Sequence, residues 1–182
     1  MSLVESTRHV KPLLLQEIRQ EEIYAVDMDG QSPWCAAEPT RGLTGQSIRE
    51  QYSPDTNQGT CGEWKVPEDR VPGTPIKVYF VYSMAGGPGG ALILWVLTHV
   101  VVPLGGDVTV TATVRTAEDT TQGLDIMAMT EPIELDASLF DGKQAPVQIQ
   151  LTFNRWADDP NNDTDTNNAD LYKIIMEYTA YE

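Results

Sequence analysis

From Glu63 to the C-terminus the chain is a succession of short β-branched and aromatic runs, each closed by a Gly, Pro, Asn or Asp cluster. That spacing predicts antiparallel strands joined by turns. Two runs, Val108–Val114 and Val147–Asn154, alternate apolar and polar residues without a fault, so each buries one face only. Ile76–Tyr82 is rich in β-branched and aromatic residues and Leu92–Leu97 is too apolar for a half-exposed surface, which predicts central strands, with Gly86-Gly87-Pro88-Gly89-Gly90 as the hairpin turn between them. Thr98–Val102 either continues the second of these strands or pairs as a separate one. Thr120–Gly123 turns the chain into Leu124–Met129, Pro132–Leu135 makes a short strand with Pro at its edge, and Leu171–Tyr178 closes the series. Roughly eight strands result, which suits a jelly roll of two facing sheets.

Residues 1–62 have a different texture. From Gly30 to Gly62 the sequence is rich in Gly, Pro, Ser, Thr, Gln and Asn, with isolated anchors at Trp34, Leu43, Ile48 and Tyr52. The expectation is an all-β chain: an extended N-terminal arm over 1–62, then an eight-stranded antiparallel jelly-roll sandwich over 63–182. Within the arm, Leu13–Ile18 reads as a short helix after Pro12, and Glu22–Val26 as a strand. Such an arm must lie on its own domain, a neighbouring subunit or a partner, or stay disordered.

The 182 residues carry 12 Lys+Arg against 27 Asp+Glu, a net charge of −15, which disfavours nucleic acid and anionic membrane surfaces as partners. Residues 1–91 hold 8 basic and 12 acidic groups, and 92–182 hold 4 and 15, so the presumed sandwich is the more acidic part. Val78–Gly106 has the length of a membrane span, but its glycines and Pro103 break it into runs shorter than the roughly 20 residues a spanning helix needs. Met1–Arg8 has no apolar run of the signal-peptide kind, so synthesis in a cytosol is expected, with Cys35 and Cys61 as reduced thiols and one bridge between them as the alternative.

No catalytic, cofactor-binding or metal-binding residues are assigned from the sequence. The only histidines are His9, near the N-terminus, and His99, which reads as a strand histidine with a satisfied ring rather than a general base. The Gly86–Gly90 turn lacks the Gly-Lys-Ser/Thr ending of a phosphate loop. The most distinctive polar segment is 158–170, where Asp163, Asp165 and Asn167 have the alternate spacing of calcium ligands. Asn168 and Ile174 stand where an EF-hand needs Gly and Glu, so a solvated loop whose Asn and Asp residues cap their own turns is the competing reading. Arg155 and Asp170, flanking this loop, are expected to pair across its base and fix the last two strands in register.

The strands of Phe80 and Trp95, the Gly106-Asp107 turn into a Val/Thr strand, Phe153-Asn154-Arg155, Asp158, Asp163-Thr164, Ala169-Asp170-Leu171 and Ile175–Tyr178 together resemble jelly-roll cement or decoration proteins on the capsids of tailed bacteriophages. The resemblance spans about Glu63 to Glu182. It implies a virion structural protein, not an enzyme, made in the host cytoplasm and set on the outer capsid surface. It implies a homotrimer that bridges major capsid protein subunits, with the arm lying across them or across neighbouring copies.

Jelly rolls also serve as lectins, so a carbohydrate-binding or receptor-binding module of a fibre or cell-surface protein is the alternative. Its ring-stacking candidates are Trp34, Trp64 and Trp156, with Trp95 assigned to the core, and only Trp156 stands beside a polar loop.

Overall fold

In the computed structural model, residues 15–24, 27–31, 39–44, 47–105, 112–143 and 146–182 are described. They form twelve strands and a short 3-10 turn at Ala137–Leu139: β1 (Gln16–Tyr24), β2 (Asp29–Gln31), β3 (Thr40–Thr44), β4 (Ser47–Tyr52), β5 (Gln58–Lys65), β6 (Ile76–Met84), β7 (Leu92–Pro103), β8 (Thr113–Thr120), β9 (Ala128–Met129), β10 (Ile133–Leu135), β11 (Val147–Arg155) and β12 (Ala169–Tyr181). All named strand pairs are antiparallel.

One sheet runs β3-β4-β12-β6-β10, with β1 also on β12 and β9 also on β6; the other runs β2-β5-β11-β7-β8. Numbering β4, β5, β6, β7, β8, β10, β11 and β12 consecutively gives sheet orders 1-8-3-6 and 2-7-4-5. In that order a long hairpin is rolled so that its paired strands alternate between facing sheets. The fold is the jelly roll.

Alternation decides what enters the core. Ile76, Val78, Phe80, Tyr82 and Met84 of β6 point inward against Ile93, Trp95 and Leu97 of β7 and Val147, Ile149, Leu151 and Phe153 of β11. Trp95 is the hub: Phe80 stacks on it at 5.2 Å and 19°, while Tyr52 meets it edge-on at 5.3 Å and 81°. Such offset and edge contacts add about 0.5–1.5 kcal/mol each beyond the area buried. β12 changes parity midway. Leu171 lies opposite Tyr82 and Lys173 opposite Val81, so Tyr172 is an extra residue, and the inward set passes from Ala169 and Leu171 to Ile174, Met176 and Tyr178.

The all-β sandwich matches the expectation, and β6 and β7 are both interior strands. Thr98–Val102 continues β7. Three expectations change. The Gly86–Gly90 segment is not a hairpin turn but an arch between sheets, because β6 and β7 face each other instead of pairing. Two apolar runs joined by a glycine turn read alike in either arrangement. The boundary placed after residue 62 falls inside β5, and β4 and β5 are the first two strands of the roll. Their polar sequences conceal this, since their burial rests on Tyr52, Gln58, Gly59, Thr60 and Trp64. Finally, Gln16–Tyr24 is a strand along β12, and no helix forms from the described part of 13–18. Its open alternation of Ile18, Arg19, Gln20 and Glu21 suits an edge strand protected by charge. The early part of the expected Val108–Val114 strand and the Cys35 thiol lie outside the described residues.

Candidate interaction surface at the loop end

Four connections, 53–57, 85–91, 121–127 and 156–168, join the sheets at one end of the roll and are cross-bonded there. The Asp158 amide donates to Asn57 Oδ1 (3.2 Å). Ala85 donates to the Asn168 carbonyl (2.9 Å), Gly90 to the Thr121 carbonyl (2.7 Å) and Leu124 to the Gly87 carbonyl (3.2 Å). Glycine is required where these loops touch: a Cβ on Gly89, whose φ is +81°, would lie 2.7 Å from the backbone carbon of Gln122.

Beneath them sits Arg155, fully buried at the end of β11. Its Nε and Nη2 donate to the two carboxylate oxygens of Asp163, both at 2.8 Å, its Nη2 also to the Asp165 carbonyl (2.7 Å) and its Nη1 to the Asn167 carbonyl (2.7 Å). The planar guanidinium thus gathers the loop's oxygens about one internal cation. The alternate spacing of residues 163, 165 and 167, which suggested calcium, serves this guanidinium. Asp165 Oδ1 meanwhile accepts from the Asn167 amide (2.9 Å) and side chain (2.8 Å), and Asp159 accepts from Asn161 and Asn162, an arrangement that holds the Asp159 carboxyl below its ordinary range. The turn-capping reading of this loop describes those contacts. Among the described residues no cluster of three or more His, Cys, Asp or Glu side chains could hold a metal ion.

The expected Arg155–Asp170 pair does not form. β11 and β12 belong to different sheets: Arg155 turns into the space between them, while Asp170, also fully buried, accepts from Arg49 and from Gln51 Nε2 (2.9 Å) of the neighbouring β4. Burial raises the Asp170 carboxyl, against the lowering effect of these partners. Sequence order alone placed the last two strands side by side.

His99, on β7, is 2% exposed, and neither ring nitrogen has a hydrogen-bond partner. The ring is therefore buried but not satisfied as the sequence suggested. Burial, reinforced by the charge of Arg115, lowers its pKa to about 4. His9 lies outside the described residues, as does Trp34. Of the other tryptophans, Trp95 is core, and Trp64 is buried with its indole nitrogen donating to Glu21 Oε2 (2.6 Å). Trp156 is half-buried beside the acidic loop.

The feature that sequence reasoning missed runs from the turn after β8 through β9. Leu124, Ile126, Met127 and Met129 are 53–61% exposed within six residues. Large apolar side chains grouped in this way on a surface are uncommon and mark contact sites. The signal was present in the sequence: the segment breaks strand alternation and places Asp125 among four large apolar residues. The backbone there is pinned. Asp125 has φ 55°, rare for a residue with a side chain, and its amide donates to the Met84 carbonyl (3.0 Å); the Ile126 amide donates to the Gly123 carbonyl (3.1 Å).

No family model and no curated protein matches the chain. Among solved structures, a chain of infectious bursal disease virus, Gx strain, is similar at 14% identity and TM-score 0.41 over 91% of this chain and 32% of that one. The Gt strain of the same virus gives 12%, 0.41, 90% and 32%. TmCBM61, solved with β-1,4-galactotriose, gives 12% and 0.35 over 92% of this chain and 88% of that one. This chain therefore spans about a third of the viral chains it resembles. The jelly-roll assignment rests on the strand order itself.

Proposed function

We propose that the chain is a virion structural protein, a capsid cement or decoration protein that sits on the outside of a phage head and stabilises the shell by bridging major capsid protein subunits. The observation that carries this reading is the exposed apolar ridge Leu124, Ile126, Met127 and Met129, mounted on a cross-bonded loop end. A protein that works by contact needs large apolar side chains presented in a fixed geometry, since little ordering entropy is then lost on docking. The jelly roll supplies a stiff frame, in which β1 is zipped to β12 along nine residues. Three copies meeting at local threefold positions would spread that grip over several capsomers. The net charge of −15 suits a projecting outer surface that avoids non-specific association.

The deciding experiment adds the purified chain to heads assembled without it and follows co-sedimentation and resistance to heat. Saturable binding with threefold density on the outer surface, seen by cryo-electron microscopy, is the expected result; absence of binding refutes the reading.

Trp156 favours a second reading, a carbohydrate- or receptor-binding module. Of the two ring-stacking candidates among the described residues, Trp64 is buried and Trp156 is half-exposed near polar residues of its loop, Asp158 and Asp159. A glycan array with no hits, or hits unchanged by Trp156→Ala, disposes of it.

A further inference from the structure

We infer that the ridge Leu124, Ile126, Met127 and Met129 docks into an apolar pocket rimmed by Lys and Arg on a subunit of a different protein, and not against the same ridge of a second copy of this chain. The inference names the partner chemistry of the surface just described and rests on reading the chain as one that acts by contact.

Charge identifies the partner. Between Arg115 and Lys143 the sequence holds seven carboxylates and no cation, and while Asp141 is taken up by Arg70 and Asp119 by the Tyr82 hydroxyl, the two that flank the ridge's apolar residues are Asp125 and Glu131. Asp125 lies within the ridge and Glu131 two residues beyond it, both exposed. The neighbouring loop 85–91, onto which Leu124 is hydrogen-bonded, is uncharged, so it offers no compensating cation. A two-fold contact between copies places each residue's patch against itself and would bring Asp125 and Glu131 toward their own counterparts while desolvating them. A cationic rim on a different protein removes that repulsion and pairs the carboxylates, while the apolar side chains fill the centre, the usual division between the core and rim of an interface. The left-handed Asp125 and the bonds from Leu124, Asp125 and Ile126 hold the ridge in one backbone conformation before it binds.

The test measures binding of the full chain to two immobilised peptides, one alternating Leu and Lys and one alternating Leu and Glu, alongside binding to heads assembled without the protein. The wild type should bind the Leu-Lys peptide and not the Leu-Glu peptide. The Ile126→Ser/Met127→Ser variant, whose charge is unchanged, should bind the Leu-Lys peptide at least tenfold more weakly with an unaltered melting temperature. Asp125→Lys/Glu131→Lys should weaken binding to Leu-Lys and make its decline with added salt shallower. If the first variant melts early, the single variants Leu124→Ser and Met129→Ser carry the same comparison. Equal binding of wild type and ridge variants to the Leu-Lys peptide or to heads overturns the inference. A concentration-dependent dimer of the wild type that the ridge variants abolish also overturns it, in favour of a second copy. Heads that do not take up the wild type, with the peptide result as expected, refute the cement role and leave the ridge's partner chemistry standing.

Discussion

Arg155 is the residue on which the loop end depends. It is fully buried with Asp163, and its four hydrogen bonds satisfy groups that would otherwise be orphaned. Removing one partner of a buried ion pair leaves an uncompensated charge, so Arg155→Met is expected to cost about 3–5 kcal/mol in urea unfolding. Pairing it with Asp163→Leu should recover part of that loss. Because the guanidinium occupies the centre of the loop, millimolar calcium or EDTA should leave the wild-type melting temperature unchanged. His99 makes a different prediction. Its pKa is near 4 in the fold and near the ordinary 6.5 in the unfolded chain, so on acidification the unfolded chain takes up a proton first. Stability is complete above pH 6.5 and falls as the pH drops toward 4, by about 3 kcal/mol from this group. A His99→Leu variant, melted across the same range, should lose that part of the slope.

Among the elements, β12 and the 85–91 arch decide the geometry. β12 serves β6 on one side and shares its other side between β1 and β4. The extra residue at Tyr172 lets a single strand follow both halves of a twisted sheet and still keep apolar residues inward. In the arch, Gly89 and Gly90 both have positive φ, +81° and +88°, but only Gly89 has neighbours where a Cβ would go. Gly89→Ala is therefore expected to destabilise by clearly more than Gly90→Ala, the first combining backbone strain of order 1 kcal/mol with a steric clash. Differential scanning calorimetry of the two variants checks the order.

For the whole molecule, charge and shape oppose each other. A net −15 over 182 residues penalises the compact state by self-repulsion. The melting temperature should rise with added sodium chloride until screening is complete, while the buried Arg155–Asp163 pair stays largely insensitive to it. In light scattering, the like-charged ridge should not hold copies together in low salt.

The sequence by itself determined the class of fold. Strict alternation at Val147–Asn154, the apolar runs at Ile76–Tyr82 and Leu92–Leu97, and the turn clusters between them are local signals, and local signals suffice to state that strands form and which faces bury. Tertiary structure decided everything that depends on which strand lies beside which. A glycine segment between two strands reads the same as a hairpin or as an arch, so the two sheets, and with them the partners of Arg155 and Asp170, became clear only in three dimensions. The polar strands β4 and β5 carry too few apolar residues to be recognised alone, and owe their place to Tyr52 and Trp64 meeting a core built by later residues. The ridge at 124–129 belongs to the same class: its residues look like core by composition, and only its course along the edge of β6, with those side chains turned away from the core, leaves them in water.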